Sequence, residues 1–472
     1  MLKIKKSFIF LVFILCFVNY TKATILLPSV FSSNMVLQQK TNVAIWGLSE
    51  YNETVTVFTS WNNVTIKTKA DQKGNWKCYM STPSAGGPYT ITIKDKDAIT
   101  LTNVLIGEVW FCSGQSNMEM PMKGFKNQPV LSSNEILLEA DNSNLRLFDS
   151  KRAASTTPLT NCGGDWKESN IEIAKNFSAV AYMYGMMLQK KLKVPVGIIV
   201  SSWGGTKIQS WMSKSALQDI PEVEISNRVD TASDKQKYPT TLYNGMIAPF
   251  VGFGIKGFIW YQGESNRHEP NIYGRLLTSM VKSWRAEWND NKDSLPFYYV
   301  QIAPYGNKDT TRSVRGIREA QMQAMNTIPN CGMASTMDIG EDVFIHPPYK
   351  KEVSERLLYW ALAKTYGYKG ISFSGPIYKS MKIDKTKINI SFDYAEYGLS
   401  FFGKELQNFE IAGADKQFYA ATVKIKEDGT IDVWSEKVPT PVAVRYAYKD
   451  FVKGDLYNTF GLPASSFRTD NW

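Results

Sequence analysis

The sequence predicts a flavodoxin-like α/β sandwich set between two β segments, and three patterns carry that reading. Between about residues 104 and 370, short near-continuous apolar runs alternate with amphipathic stretches of helical period. Runs of that kind belong to strands buried on both faces of a parallel sheet. The segments on either side instead alternate with period two, as half-buried strands do. With 472 residues the chain exceeds one ordinary domain, and 43% hydrophobic against 21% charged residues is ordinary globular composition.

Residues 1–23 read as an export signal. Lys3, Lys5 and Lys6 make a basic start, Phe8 to Val18 is an apolar run short for a bilayer span, and Ala23 is a small residue before a cleavage point at Thr24. The alternatives are an uncleaved anchor or lipidation at Cys16, whose surroundings make a poor lipobox. Residues 24–103 form a small β domain. Asn42–Trp46, Thr54–Phe58 and Tyr89–Ile93 alternate and are rich in β-branched residues, with Gly74-Asn75 and Ala85-Gly86-Gly87-Pro88 as turns between them.

Residues 104–370 carry five expected strands: Val104–Cys112, Val196–Ser201, Ile255–Gln262, Phe297–Ala303 and Gly332–Met337. Ile272, Leu276, Leu277, Met280, Val281 and Trp284 repeat at helical spacing between them. So do Val353, Leu357, Leu358, Ala361 and Leu362, with Pro347-Pro348 near the start and Gly367 past the end. Residues 371–472 return to alternation in Lys387–Phe392, Ala421–Ile425 and Val442–Tyr446, with a hairpin turn at Asp428-Gly429.

Composition excludes several functions. Removal of the leader with its four lysines takes the formal charge from +10 to +6, and the remaining basic residues are mixed with acids. That is a solvated surface and not a nucleic-acid track. No later run is long enough for a membrane helix. Cys78, Cys112, Cys162 and Cys331 have no zinc-ribbon spacing, and two histidines, His268 and His346, cannot make a His-rich metal site. No metal or organic cofactor is expected.

Ligands bind beyond the carboxyl ends of the strands of such a sheet. Ser113-Gly114-Gln115-Ser116-Asn117 follows the first strand, Ser202-Trp203-Gly204-Gly205-Thr206 the second, and Gln262-Gly263-Glu264-Ser265-Asn266 the third. Asp338 to Asp342 and then His346 follow the last. A hydroxyl, an imidazole and a carboxylate on one edge are the parts of a nucleophile–base–acid set. Ser116, at a helix start, is preferred to Ser113 as nucleophile. His346 is preferred to His268 as base. Met118 stands where the sharp elbow of α/β-hydrolases needs glycine, which disfavours that fold. An N–H in Gly204-Gly205 suits an oxyanion.

These residues carry a resemblance. Asn34-Met35-Val36-Leu37-Gln38, Gly107-Glu108-Val109-Trp110 through Gln115-Ser116-Asn117-Met118-Glu119, Ser202-Trp203-Gly204-Gly205-Thr206 and Trp260-Tyr261-Gln262-Gly263-Glu264-Ser265-Asn266 resemble the sialate O-acetylesterase family of SGNH/GDSL-type hydrolases. Ile345-His346-Pro347 and Gly461-Leu462-Pro463 through Thr469-Asp470 extend the likeness over nearly the whole mature chain. The resemblance implies a three-layer hydrolase domain and a secreted or periplasmic serine esterase that deacetylates a carbohydrate, with 9-O-acetylated sialic acid as the leading substrate. Acetylated xylan or another glycan is the alternative, and a non-catalytic carbohydrate-binding protein the rival of another class. It implies Ser116 as nucleophile and His346 as base, and makes Trp203 and Trp211, flanking the Gly-Gly loop, the candidates for stacking on the sugar. The implied oxyanion hole is the Ser116 and Gly205 (or Gly204) N–H groups with the Gln262 side chain, Asn266 being the second choice. The acid behind His346 stays open. Val343 and Phe344 occupy the positions where relatives place it, leaving Glu264, Asp338 and Asp342, or a backbone carbonyl in place of an acid.

Overall fold

The computed structural model describes residues 25–472 apart from 226–233, 307, 308 and 310. The leader expected at 1–23 lies outside the described residues. The organising element is a 17-residue strand, β1 (Ala98–Gly114). Its first half pairs antiparallel with Gly86–Lys94 and parallel with Val36–Gln38. Its second half is central to the parallel sheet. The boundary expected at 103/104 therefore falls inside one continuous strand, and the N-terminal β domain is fused to the sheet that follows it.

Beside β1 lie β2 (Asn142–Asp149), β3 (Trp166–Ser169), β4 (Val196–Ser202), β5 (Gly257–Tyr261), β6 (Phe297–Val300) and β7 (Cys331–Ala334). The order across the sheet is β7-β6-β5-β1-β4-β2-β3, with only β3 antiparallel to its neighbour. All five expected parallel strands are present, and β2 is a sixth. Alternation along β1 assigns the faces. Val109 and Phe111 enter one core with α3 (Pro270–Glu287) and α4 (Val314–Ala324). Trp110 and Cys112 enter the other with α2 (Ala179–Leu192) and α5 (Lys350–Trp360). Trp110, Trp260, Trp284 and Trp360 are buried. Removing an indole from water contributes roughly 4–6 kcal/mol of transfer free energy each.

The C-terminal segment is a β sandwich. Ile377–Asp384, Lys387–Asp393, Thr422–Ile425 and Ile431–Trp434 form one sheet, and Phe409–Ala412, Phe418–Ala420, Ala443–Tyr446 and Phe467–Arg468 the other. They share a core with Met337 of the α/β domain. Among the described residues all four cysteines are free, no helix is long and apolar enough to cross a membrane, and no cluster of metal-ligating side chains is present.

Candidate active site

Three strand ends converge where β1 stops. In register, Gly114 lies between Ser202 of β4 and Tyr261 of β5. Its φ is +143°, and a Cβ there would stand 2.1 Å from the Tyr261 carbonyl oxygen. Only glycine lets the chain turn so close to its neighbour. Two residues on, the one-turn helix α1 (Ser116–Glu119) begins. The Gln115 Oε1 accepts the N–H groups of Gly263 (3.4 Å) and Ser265 (3.2 Å), joining this turn to the loop after β5. Ser113 remains inside β1 and is fully buried, whereas Ser116 lines a cavity of about 310 Å³.

The Ser116 Oγ lies 2.8 Å from the His346 Nε2. The other ring nitrogen, Nδ1, is 2.6 Å from the Gln128 Oε1. An amide oxygen only accepts, so Nδ1 carries the hydrogen and Nε2 presents its lone pair to the serine. Phe125 packs edge-on against the imidazole at 5.3 Å. Gln128 is held by the turn that starts at Phe125, whose carbonyl accepts the Gln128 N–H at 2.9 Å. Burial, and after it the positive charge of Lys350, pushes His346 down to about 4.

None of the three expected acids stands behind His346. Asp338 is engaged by Arg356 in a two-point pair at 2.8 and 2.7 Å. Asp342 is exposed, and its backbone oxygen accepts the Gly306 N–H. Glu264 is buried next to α1, where its Oε1 accepts from the Asn117 Nδ2 at 2.5 Å. Burial raises this carboxyl above the usual range. The Asn117 Nδ2 also donates to the Ile345 carbonyl at 3.0 Å, and the Asn117 Oδ1 accepts from the buried Lys350. Burial takes Lys350 down to about 7, with Glu264 opposing that shift.

The oxyanion-hole expectations divide. The Gly204 N–H donates to the Glu119 Oε2 at 2.9 Å, which removes it as a donor to substrate. Gly205 lines the cavity, at φ +72° with open space where a Cβ would be. Gln262 is fully buried and donates from its Nε2 to the Thr206 carbonyl (3.1 Å) and the Asn266 Oδ1 (2.7 Å). The Asn266 Nδ2 donates to Gln209 and Glu269. Both amides thus hold the scaffold, and neither lines the cavity. Trp211, expected near the sugar, is a core residue packed on Trp260, with its Nε1 donating to Thr206. Trp203 is half-buried beneath the Arg152 guanidinium, itself paired with Glu119.

The residues that composition and spacing did not reveal are Gln128, Asn117 in its bridging role, and Lys350. Gln128 is a neutral amide 218 positions from His346, where a carboxylate was sought. The cavity is lined by Lys207, Lys237, Arg267, His268 and Arg312, with Glu264 the one carboxylate among its lining residues. Lys207 pairs with Glu269, Lys237 with Asp234, and Arg312 with Asp309. Arg267 is buried and donates from its Nε to the Glu264 carbonyl at 2.7 Å.

Residues 106–356 match the model of a family described as carbohydrate esterase, sialic acid-specific acetylesterase. A solved carbohydrate acetylesterase from Xanthomonas citri is 33% identical, with a TM-score of 0.86, and the alignment covers 95% of this chain and 100% of that one. The sialate O-acetylesterases of Homo sapiens and Mus musculus are 29% and 28% identical over 93% of this chain, and over 91% and 93% of their own lengths. The family match spans more than half the chain and the likeness to the Xanthomonas enzyme runs through all three segments of the fold, so this chain belongs to the sialic acid-specific acetylesterase family of carbohydrate esterases.

Proposed function

We propose that this carbohydrate esterase is a serine enzyme that removes O-acetyl groups from a carboxylated sugar, sialic acid foremost, through an acetyl-enzyme. The observation that carries the reading is the 2.8 Å contact between Ser116 and the unprotonated nitrogen of His346 at the head of the parallel sheet. The Ser116 Oγ attacks the acetyl carbonyl carbon while its proton passes to the His346 Nε2. The resulting oxyanion is met by the Ser116 and Gly205 N–H groups. As the tetrahedral centre collapses, the sugar oxygen leaves and takes the proton from Nε2. Water then loses a proton to Nε2 and attacks the acetyl-serine. Acetate departs, and the proton returns to the Ser116 Oγ.

The basic lining of the cavity supports a sugar that bears a carboxylate. A sialic acid brings a carboxylate to a cavity lined by Lys207, Lys237, Arg267 and Arg312, whereas a neutral acetylated xylan brings no charge to it. The basic and apolar run ending at Ala23 supports export to the periplasm or cell exterior. Hydrolysis of p-nitrophenyl acetate tests the chemistry. Ser116→Ala and His346→Ala should each lower kcat by about a thousandfold or more, and wild-type rates in Ser116→Ala would defeat the serine mechanism. Acetate release from O-acetylated sialoglycan and from acetylated xylan, measured side by side, tests the substrate. Faster release from xylan would defeat the sialate reading and leave the esterase reading intact.

A further inference from the structure

The chemistry above uses Ser116, His346 and Gln128, but two more ionisable groups are buried within one amide of them. The side chain of Asn117, the residue after the nucleophile, has three partners from two separate parts of the chain. Its Nδ2 donates to the Glu264 Oε1 at 2.5 Å and to the Ile345 carbonyl at 3.0 Å, and its Oδ1 accepts from the Lys350 Nζ. Asn117, Glu264 and Lys350 are 1%, 7% and 0% exposed. Ile345 directly precedes the base, so the same amide binds the helix of the nucleophile and the loop of the imidazole. Isolated charges so deep are costly, and a buried carboxylate and ammonium persist together only where each offsets the other.

We propose that Asn117, Glu264 and Lys350 form one buried positioning unit that sets the separation of Ser116 from His346, with the carboxylate and the ammonium linked through a single amide. This rests on the serine reading of the site. None of the three has a hydrogen bond to Ser116 or His346 among those described, so they act through the backbone of α1 and of the Ile345–His346 loop. Glu264, sought as the acid behind the base, thus acts one residue away from it. The second oxygen of Glu264 and the Arg267 Nη1 are buried without hydrogen-bond partners. The other oxygen is held by the Asn117 amide, with a backbone hydrogen bond at Glu264 and the charges of Lys350 and Arg267 also favouring the carboxylate.

The unit also has an electrostatic consequence. His346 is faced by Ser116 of α1, by Gln128 and Phe125 of the 125–128 turn, and by the positive charge of Lys350. Lys350 is faced by Asn117 of α1, by Glu264 after β5 and by the Tyr261 ring of β5 at 5.5 Å. Arg267 faces Glu264 from the same loop. Helix α2, packed on α5, presents apolar residues and the Val180 carbonyl there, the latter accepting from Ser354. Lys350 is therefore the cation that acts on the imidazole. Removing it should make His346 easier to protonate.

The test uses the full chain, p-nitrophenyl acetate, and Glu264→Gln, Lys350→Met and the double variant. Each single variant should lose about tenfold or more in kcat, with KM changed less than about threefold, because the reacting atoms are misplaced and p-nitrophenyl acetate carries no group for the Glu264 carboxylate to bind. In Lys350→Met the acid limb of kcat/KM should move up by about half a pH unit or more, a readout that loss of packing alone would not move. The double variant, which removes the carboxylate and the ammonium together, should lose less than the product of the two single losses. If a single variant does not fold, the double variant carries the kcat test. Wild-type kcat in any folded variant, an unmoved acid limb in Lys350→Met, or strictly multiplicative losses would overturn the unit. Ser116→Ala, assayed in parallel, keeps the two readings apart: retained activity there overturns the serine mechanism, whereas the outcomes above overturn only the positioning.

Discussion

Gln128 sets the tautomer of His346 without lending it a negative charge. In the Ser-His-Asp arrangement the acid does two things: it orients the ring and it stabilises the imidazolium. An amide oxygen at 2.6 Å does only the first. With burial and Lys350 both working against the cation, the ring is held at about 4, far below the usual 6.5. The base must be neutral to act, so kcat/KM should hold from neutral pH down to about 5 and fall only as His346 takes its proton near 4. Gln128→Glu places an opposite charge on Nδ1 and should move that limb upward by about one unit or more. Gln128→Ala removes the tautomer lock and should lower kcat by about tenfold to a hundredfold with the limb little changed. A pH–rate profile of both variants checks this, and an unmoved limb in Gln128→Glu would mean that the amide does not face the ring in solution. Ser116 and His346 were legible because a hydroxyl and one of two imidazoles each followed a strand on the same carboxyl edge of the sheet. Gln128 was not, since Phe125-Lys126-Asn127-Gln128 is an ordinary polar turn whose role exists only once the chain brings it to the ring. Gln262 and Asn266 misled for a related reason. They occupy the right strand end, but their amides are used in joining the loops after β4 and β5.

At the scale of elements, hydrophobic pattern identified whatever is buried on both faces. β1, β4, β5, β6 and β7 are nearly continuous apolar runs, and each lies in the parallel sheet. β2 escaped because Asn142-Ser143-Asn144 opens it and Arg146 interrupts Leu145 and Leu147. The guanidinium is nevertheless 2% exposed, donating to the Ser143 and Asn34 carbonyls and to Asn103 and pairing with Glu168. A charge satisfied in this way is compatible with a core strand, but local pattern does not announce its partners. Short helices were equally silent. α1 has one turn and no side-chain cap of its own, and is secured from outside. The Ser178 Oγ donates to the Met118 carbonyl at 2.5 Å and accepts the Ala181 N–H at 3.2 Å, so the cap of α2 also fastens α1. Ser178→Ala should cost about 1–2 kcal/mol, within the range for loss of an N-cap hydroxyl. Urea unfolding should show this as a lower midpoint at unchanged slope, and a midpoint equal to wild type would show that solvent replaces both bonds.

At the scale of the whole molecule, the two β segments relate to the sheet in different ways. The N-terminal one is continuous with it through β1, because a single strand serves both sheets; the turn residues between β runs gave no sign of that, since the junction has no turn. The C-terminal sandwich is instead docked, and alongside the shared apolar core at Met337 its dock has a polar part. Arg318 of α4 is fully buried, and its guanidinium donates to the Lys449 and Asp450 carbonyls and to the Ser466 Oγ. Close by, the Gln301 Nε2 donates to the Ser465 Oγ at 2.7 Å, and Glu319 accepts from Tyr448 and Arg468. Burial brings Arg318 down to about 10, still well above neutrality, so the group is a cation whose charge is met by carbonyl oxygens and not by a carboxylate hydrogen-bonded to it. Replacing it with methionine keeps most of the volume and strands at least two buried carbonyls, each loss costing about 1–3 kcal/mol. Arg318→Met should therefore destabilise by about 3 kcal/mol or more and expose the connection near residue 371 to limited proteolysis. Because α4 reaches the catalytic loops through Gln321 and not through Arg318, the intact fraction should hydrolyse p-nitrophenyl acetate within about twofold of wild type. A parallel loss of rate in protein that remains folded and uncut would show instead that the sandwich is part of the catalytic framework, coupled to the Ser116 edge through the helix it sits on.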